Sequence, residues 1–182
     1  NDFRRVLYLK HRKVIASEVV KNTGLLMNGP IPPELLPPAP AEVPEANLAE
    51  AGKILDEAGW KLAPDGVRKK IIKAKNKKEK DQELLLEINL ATTDDEGLLA
   101  AAEIIKKSWG ALGAKINLEV VPRGAIGEIL RQRNYDILLY GQALGQDLDL
   151  YPFWHSSEIN FPGLNLSHFR SREADILLQN AR

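Results

Sequence analysis

The chain has 182 residues, of which 44% are hydrophobic and 27% charged, as is typical of one globular domain with a buried core. Lysine plus arginine and aspartate plus glutamate each total 25, so no net field favours nucleic acid or an anionic membrane as a partner of the whole chain. The absence of cysteine excludes disulfides, thiolate metal sites and a cysteine nucleophile.

The sequence shows neither a membrane-span pattern nor a signal-peptide pattern. No apolar run approaches the roughly 20 residues of a membrane span, and no signal-peptide pattern opens the sequence. The chain starts without methionine and stops within a helical pattern, EADILLQNAR. We interpret it as an excised fragment that forms a single α/β lobe over residues 1–182.

The first third of the chain is predicted to be scaffold. Apolar residues recur every three to four positions through residues 1–22, which predicts two short helices. Seven prolines between Pro30 and Pro44 favour an extended connection, with a disordered linker as the alternative. A capping-box pattern formed by Asn47 and Glu50 then predicts a helix of about three turns that stops at Gly59.

A lysine-rich stretch follows this helix. The sequence RKKIIKAKNKKEK, residues 68–80, has eight basic residues against one glutamate, and we predict a basic hairpin or loop over residues 66–83. Single-stranded nucleic-acid sites interleave aromatic residues for base stacking, and this stretch has none. An interaction module that binds acidic surfaces or nucleic acid stays open as an alternative to a solvated hairpin.

The rest of the chain alternates strand and helix patterns. LLLEINLATT and AKINLEVVP alternate as strands, and YDILLYG reads as a strand buried on both faces. Between them, GAIGEILRQRN predicts a short helix, and a capping box of Thr93 and Glu96 begins a longer one. The apolar stripe of the longer helix comprises Leu98, Ala102, Ile105, Trp109 and Leu112. This order predicts an α/β fold with a mostly parallel sheet flanked by helices.

Ligands of such sheets bind outside the carboxyl ends of the strands, which places the segment GQALGQDLDLYPFWHSSE at the expected site. Asp147 and Asp149 lie there among aromatic residues. One hypothesis is a wall of aromatics with a fixed anion, and another is that the aromatics only cover the sheet edge. A sugar-acting hydrolase using Asp147 and Asp149 is the enzymatic alternative. The aromatic residues in question are Tyr140, Tyr151, Phe153 and Trp154.

No cofactor or metal is predicted. The three histidines are scattered without zinc spacing, and His155 reads more readily as a packing residue than as a ligand. Nucleotide-binding glycine motifs and the serine-hydrolase elbow are also missing from the sequence.

Several stretches together resemble the large lobe of the extracellular solute-binding proteins of family 5, the peptide, oligopeptide and nickel receptors of ABC importers. They include FRRVLYLKHRKVIASEVVKNTG, NGPIPPE, NLAEAGKILDEAGW with PDGVRKK, and AAEIIKKSWGALGAKINLEVVP. The closing stretches YDILLYGQALGQDLDLYPFWHSSE and GLNLSHFRSREADILLQNAR complete a match that runs nearly end to end.

The resemblance implies a periplasmic-binding-protein type II lobe that closes with a second, N-terminal lobe on a peptide or similar solute and delivers it to a membrane permease. It implies no enzymatic activity and an extracytoplasmic location, periplasmic or as a cell-surface lipoprotein. In the family an aspartate after the last strand pairs with the free amine of a peptide, a role that falls on Asp149. The family's usual tryptophan after the glycine is here Gln142. The resemblance assigns ligand binding to Gly141, Gln142, Ala143, Asp147, Asp149, Tyr151 and Trp154.

Overall fold

The computed structural model describes residues 12–21, 24, 29, 31, 48–74, 76, 80–143 and 149–182. Its α-helices are α1 (Arg12–Glu18), α2 (Leu48–Glu57), α3 (Glu96–Gly110), α4 (Ile126–Gln132), α5 (Tyr151–Trp154) and α6 (Arg172–Asn180). Its strands are β1 (Lys61–Leu62), β2 (Arg68–Ile72), β3 (Gln82–Leu85), β4 (Glu87–Thr93), β5 (Lys115–Val121) and β6 (Ile137–Leu138).

A parallel sheet of order β5-β4-β6 forms the centre of the lobe. Strand β4 pairs with β5 from Glu87 through Thr93 and with β6 on its other side. Leu90 and Thr92 have no solvent exposure, because both faces and both edges of β4 are covered. The α/β fold with a parallel sheet and flanking helices that the sequence predicts is therefore present.

Strand β6 differs from its prediction. It pairs with β4 alone, the side chains of Ile137 and Leu138 are only half-buried, and Tyr140 is 38% exposed. An apolar run indicates burial in a sheet, but the sequence does not say whether a neighbouring strand covers the outer edge. Within the described residues, β6 is an edge strand, and its side chains are half-buried rather than buried on both faces as predicted.

Helix α3 packs its apolar stripe against the sheet as predicted, with Ala102 and Trp109 in the core, while Leu112, also buried there, lies in the turn after the helix. Its N-cap is different. The carboxylate of Asp95 accepts hydrogen bonds from the backbone N–H groups of Gly97 and Leu98, whereas Thr93 ends β4 and is buried. The capping box at Thr93 and Glu96 was wrong because pairing with Val121 of β5 extends the strand through that position.

A second, antiparallel sheet of order β1-β2-β3 joins the parallel sheet at Leu86. The backbone N–H of Leu86 donates to the carbonyl of Arg68 at 2.8 Å, and its carbonyl accepts from the N–H of Lys115 at 2.9 Å. The stretch LLLEINLATT, predicted as one strand, is thus two strands that meet at a buried leucine. The N–H of Leu86 therefore bonds to the antiparallel sheet, and its carbonyl bonds to the parallel sheet.

Arg68 fixes the antiparallel sheet to the helices. Only 7% of this residue is exposed, and its guanidinium donates to the carbonyls of Leu112 at 2.7 Å and Trp60 at 2.6 Å and to the carboxylate of Asp56 at 2.7 Å. Asp56 lies in the last turn of α2, so the end of α2, the loop after α3 and strand β2 converge on one side chain. The Arg68 hydrogen bond lowers the pKa of the Asp56 carboxyl below its ordinary value.

The predictions for the first third are only partly covered by the described residues. Helix α1 lies within the predicted helical region, and α2 occupies the region predicted after the prolines. Gly59 follows α2 with a φ of +87°, the left-handed conformation that favours glycine at a helix end. Asn47 and the segment from Pro32 to Pro44 lie outside the described residues.

We expect Arg68→Ala to lower the free energy of unfolding by about 2–4 kcal/mol, because it leaves buried carbonyl oxygens and Asp56 without their donor. Denaturant titration measures this. Lys69→Ala is the matched control, since Lys69 lies on the opposite face of β2 and pairs only with the exposed Asp65 and Glu83. Its cost should stay within about 1 kcal/mol. Equal losses for the two variants would contradict the role given to Arg68.

Candidate functional site

The site predicted from the sequence begins where β6 ends. The backbone N–H of Leu139 donates to the carbonyl of Ala91 at 2.9 Å, and the Thr92 hydroxyl donates to the carbonyl of Leu139 at 2.9 Å. These bonds continue the sheet one residue beyond β6. Gly141, Gln142 and Ala143 follow and are exposed, so they leave the sheet at its carboxyl edge, as predicted.

A cavity of about 530 Å³ lies beside β6. Because successive strand residues point to opposite faces, a cavity lined by consecutive residues of this strand lies at its open edge rather than under one face. Its lining combines aromatic and aliphatic side chains with few charges. The residues are Tyr135, Asp136, Ile137, Leu138, Tyr140, Gln142, Phe153, Trp154, Leu164, Leu166, Ser167 and His168.

The far wall of the cavity is held by contacts between α5 and the segment before α6. Trp154 meets Phe169 edge to face, with ring centroids 5.7 Å apart and an interplanar angle of 80°. Across the cavity, the Tyr135 hydroxyl donates to the carbonyl of Leu166 at 2.8 Å, and burial raises the pKa of this phenol. The two contacts fix the wall from both ends, which favours a preformed cavity.

Asp149 lies two residues before α5, and its carboxylate is already hydrogen-bonded. One carboxylate oxygen accepts from the backbone N–H of Tyr151 at 3.0 Å. The other accepts from Nε of Arg182 at 3.0 Å and from its Nη2, and the Arg182 guanidinium lies 4.1 Å above the Tyr151 ring. The Arg182 hydrogen bonds hold the pKa of the Asp149 carboxyl below its ordinary value of 3.8. Asp149 is therefore a fixed anion at the protein surface, with 39% of its side chain exposed.

His155 connects this cluster to α6. Its ring stacks on Tyr151 with centroids 4.2 Å apart and an interplanar angle of 13°. Nδ1 accepts from the backbone N–H of Ser157 at 3.1 Å. The Nε2 atom lies 3.1 Å from the side-chain amide of Gln179. These contacts agree with the packing interpretation of this buried histidine.

A fully buried asparagine holds the segment between α5 and α6. The Asn165 amide nitrogen donates to the carbonyls of Trp154, His155 and Phe169 at 3.2, 3.1 and 2.9 Å, and its oxygen accepts from the Phe169 N–H at 3.0 Å. Nearby, a Cβ on Gly163 would lie 2.2 Å from the carbonyl oxygen of Glu158, so this position admits only glycine. Neither residue lines the cavity, but both hold the segment whose side chains do.

The structure divides the predicted site residues into two groups. Gln142 and Trp154 line the cavity, whereas Asp149 and Tyr151 form the neighbouring cluster with Arg182. Gly141 and Ala143 are exposed beside Gln142, and Asp147 lies outside the described residues. The assignment of Asp147 to the ligand site thus stays a prediction.

Sequence reasoning missed six lining residues that lie before β6 or after α5: Tyr135, Asp136, Leu164, Leu166, Ser167 and His168. They share no residue type, because they include aliphatic, aromatic, polar and acidic side chains, and so no sequence signal groups them. His168 has a φ of +53°, an uncommon conformation for a residue other than glycine, but no sequence pattern indicates it. Their proximity to Gln142 results from the return of the chain across the edge of β6.

Among the residues that the structure describes, no group of three or more histidine, aspartate or glutamate side chains is placed to hold a metal ion. Within the same residues, no helix combines the length and hydropathy needed to cross a bilayer.

Comparison with protein families decides the broader assignment. Residues 6–161 match the family described as bacterial extracellular solute-binding proteins, family 5, middle region. The chain belongs to this family. A comparison with curated proteins found no match.

Solved structures resemble this family 5 chain over nearly its whole length. Oligopeptide-binding protein AppA from Bacillus subtilis, in complex with a nonapeptide, has a TM-score of 0.82 and 24% identity, covering 98% of this chain and 35% of AppA. The Thermus thermophilus oligopeptide-binding protein, in complex with a pentapeptide, has a TM-score of 0.77 and 17% identity, and the match covers 98% of this chain and 32% of that protein. NikZ from Campylobacter jejuni, in complex with Ni(L-His), has a TM-score of 0.74 and 20% identity, and the match covers 98% of this chain and 35% of NikZ. The chain spans about a third of the length of each.

The fold is therefore the periplasmic-binding-protein type II lobe that the sequence predicts. Family 5 consists of extracellular or periplasmic binding proteins rather than enzymes, and nothing in the comparisons supports a sugar hydrolase.

Asp175 connects α6 to the segment after α5. Its carboxylate accepts hydrogen bonds from the Ser156 N–H at 2.9 Å and from the Ser156 hydroxyl at 2.6 Å. These hydrogen bonds lower the pKa of Asp175 below 3.8, so its stabilising effect is complete above that pH and is lost as pH falls through the folded-state pKa. The stability difference between wild type and Asp175→Asn should therefore shrink between pH about 5 and about 2.5.

Denaturant titration at both pH values measures this difference. Glu173→Gln is the control, because it removes an exposed carboxylate from the same turn of α6 without removing a contact with Ser156. A stability difference for Asp175→Asn that does not change with pH would contradict the prediction.

Proposed function

We propose that this chain is the ligand-binding lobe of an ABC importer receptor, which closes with a second lobe on a peptide or similar small solute and passes it to a membrane permease. The observation that carries the proposal is the cavity of about 530 Å³ at the edge of β6, in a chain that belongs to family 5. Its volume lies within the range of small-molecule sites, and an aromatic wall with a few polar groups suits a solute with an apolar body.

A peptide-like solute is favoured by the low charge of the lining. Asp136 and His168 are the lining residues with charged or titratable acid–base side chains, apart from the tyrosines. Polar groups that can bond a peptide backbone are supplied by Gln142 and Ser167, while Trp154 and Leu138 offer apolar contact. The solved relatives include complexes with a nonapeptide and a pentapeptide, which support a peptide, and one with Ni(L-His), which supports a small chelate as the second candidate.

Asp149 is the proposed anchor for a ligand's ammonium group. A carboxylate offers about four lone-pair positions, and the Tyr151 N–H and the two nitrogens of Arg182 use three of them. An incoming ammonium would take the remaining position or replace Arg182. Gly141, Ala143 and Tyr151 are proposed to contact the ligand beside it, as is Asp147.

We further propose that the full receptor is extracytoplasmic, as its family is, and that it has no catalytic activity. A lipid anchor stays a prediction. Release of reducing sugar from oligosaccharides that Asp149→Asn abolished would overturn the non-enzymatic assignment.

We expect Asp149→Asn in the full-length receptor to lower the affinity for a peptide with a free amino terminus by about 10- to 100-fold, because a charge-assisted hydrogen bond is lost. An N-acetylated form of the same peptide should be affected little. Isothermal titration calorimetry measures both. Glu103→Gln, an exposed carboxylate on α3, is the control. Unchanged selectivity for the free amine would remove the anchor role from Asp149 while leaving the receptor assignment intact.

Trp154→Ala tests the cavity itself. The change removes one wall and its edge-to-face contact with Phe169, and we expect about tenfold weaker binding of the peptide, acetylated or free. Phe161→Ala is the matched control, because Phe161 is 62% exposed and does not line the cavity. Wild-type affinity in Trp154→Ala, with the fold retained by circular dichroism, would show that the solute binds elsewhere.

A further inference from the structure

Arg133 follows α4 in a backbone conformation that favours glycine. Its φ is +57°, in the left-handed region, and its backbone N–H donates to the carbonyl of Ile129 at the end of the helix. A glycine would adopt this conformation without the steric cost of a side chain. The long cationic side chain of Arg133 is therefore not required by the helix end itself.

The Arg133 guanidinium is covered by the lobe but incompletely hydrogen-bonded. Its Nη2 atom donates to the carbonyl of Gly163. Its Nε and Nη1 atoms are buried, and neither has a hydrogen-bonding partner within the described residues. A buried cation without an anion is costly, because protein solvates charge less well than water does. Since both nitrogens are already covered, a domain that packs on the outside of the lobe would not reach them.

The guanidinium lies next to residues of the cavity wall, although Arg133 itself does not line the cavity. Gly163, to which it donates, directly precedes the lining residue Leu164. The phenol of Tyr135, also in the lining, is affected as well. Burial raises the pKa of Tyr135, and the positive charge of Arg133 acts in the opposite direction. The charge of Arg133 therefore acts on a side chain that faces the cavity.

Asp136 is the carboxylate of the cavity lining that could offset this charge. It is exposed, and it accepts a hydrogen bond from the backbone N–H of Asn89 at 2.8 Å. Solvent screens an exposed charge much more strongly than a buried one. The potential in the cavity beside Tyr135 is therefore determined mainly by Arg133, and it is positive.

We propose that Arg133 makes the cavity select solutes that carry a carboxylate group, and that this group lies beside Tyr135 when the solute is bound. The inference rests on the solute-binding role proposed above and gives the chemistry of one end of the solute. Attraction through a protein wall needs no direct contact, and it is stronger than the same attraction across water. Arg133 is thus a specificity-determining residue that acts through the wall.

Equilibrium dialysis of the full-length receptor against pentapeptide mixtures, quantified by mass spectrometry, tests the proposal. The peptides contain only uncharged residues and are prepared with a free carboxyl terminus or as the C-terminal amide. We expect wild type to bind the free-carboxylate mixture about tenfold more tightly than the amide. Arg133→Met should reduce this preference to less than about twofold without changing the affinity for the amide. Arg133→Lys, which keeps the charge, should retain most of the preference.

A third mixture identifies the source of the carboxylate. It is amidated but carries one glutamate, so it offers a side-chain carboxylate in place of the terminal one. An Arg133-dependent preference for this mixture alone would assign the cavity to an acidic side chain, and one for the free-terminus mixture alone would assign it to the carboxyl terminus. Either result supports the proposal.

Arg131→Met is the matched control, because Arg131 is exposed and pairs with Glu128 on the same helix. It should leave the preference unchanged. A wild type that prefers neither carboxylate mixture to the uncharged amide would overturn the inference while leaving the receptor assignment intact. A preference that survives Arg133→Met would also overturn it, as would equal weakening of all mixtures, the result expected if Arg133 only holds Gly163. Binding of no mixture would overturn the peptide assignment and this inference together.

Discussion

The parallel pairing of β4 with β5 and β6 is the interaction on which the rest of the described structure depends. Every residue of β4 pairs with β5, and the strand's last four residues are buried at 2% exposure or less. This pairing fixes the position at which β6 ends and hence where Gly141 and Gln142 leave the sheet. It also brings Thr92 under Leu139, where its hydroxyl extends the sheet toward the cavity. Helix α3 starts directly after β4, and its Asp95 cap determines the direction in which the crossover leaves the sheet.

The candidate site is built by a second layer that crosses the open edge of β6. Asn165 and Gly163 hold the segment after α5 in a shape that returns Leu166 and His168 toward Tyr135. The hydrogen bonds of Asp175 and Gln179 then fix that segment to α6. The carboxylate of Asp149 is fixed in the same way, by Arg182 and by the backbone of α5. Such preorganised groups lose little freedom when a ligand binds, which favours affinity in a closing cleft.

The lobe also separates its two surfaces. The cavity at β6 carries few charges, whereas the β2–β3 hairpin, attached at the N-terminal end of β4 through Leu86 and Arg68, lies in the basic stretch of the sequence. Hydrogen bonds of Leu86 and Arg68 connect the two sheets at the start of β4 and β5, whereas the cavity lies beside β6.

By itself the sequence determined the α/β alternation, the apolar stripe of α3, the exit of the chain at Gly141 and the membership of family 5. These features depend on local periodicity and on short patterns, which residues close in the chain establish. The tertiary structure decided what local patterns do not contain. Thr93 became strand rather than cap because Val121 pairs with it, and β6 became an edge because no described strand lies beyond it. Tyr135 and His168 came together with Gln142 only because Asn165 holds the returning chain, and Asp149 acquired Arg182, 33 residues away, as its partner. Contacts between residues so far apart depend on how the elements pack, and packing is a property of the whole lobe rather than of any segment.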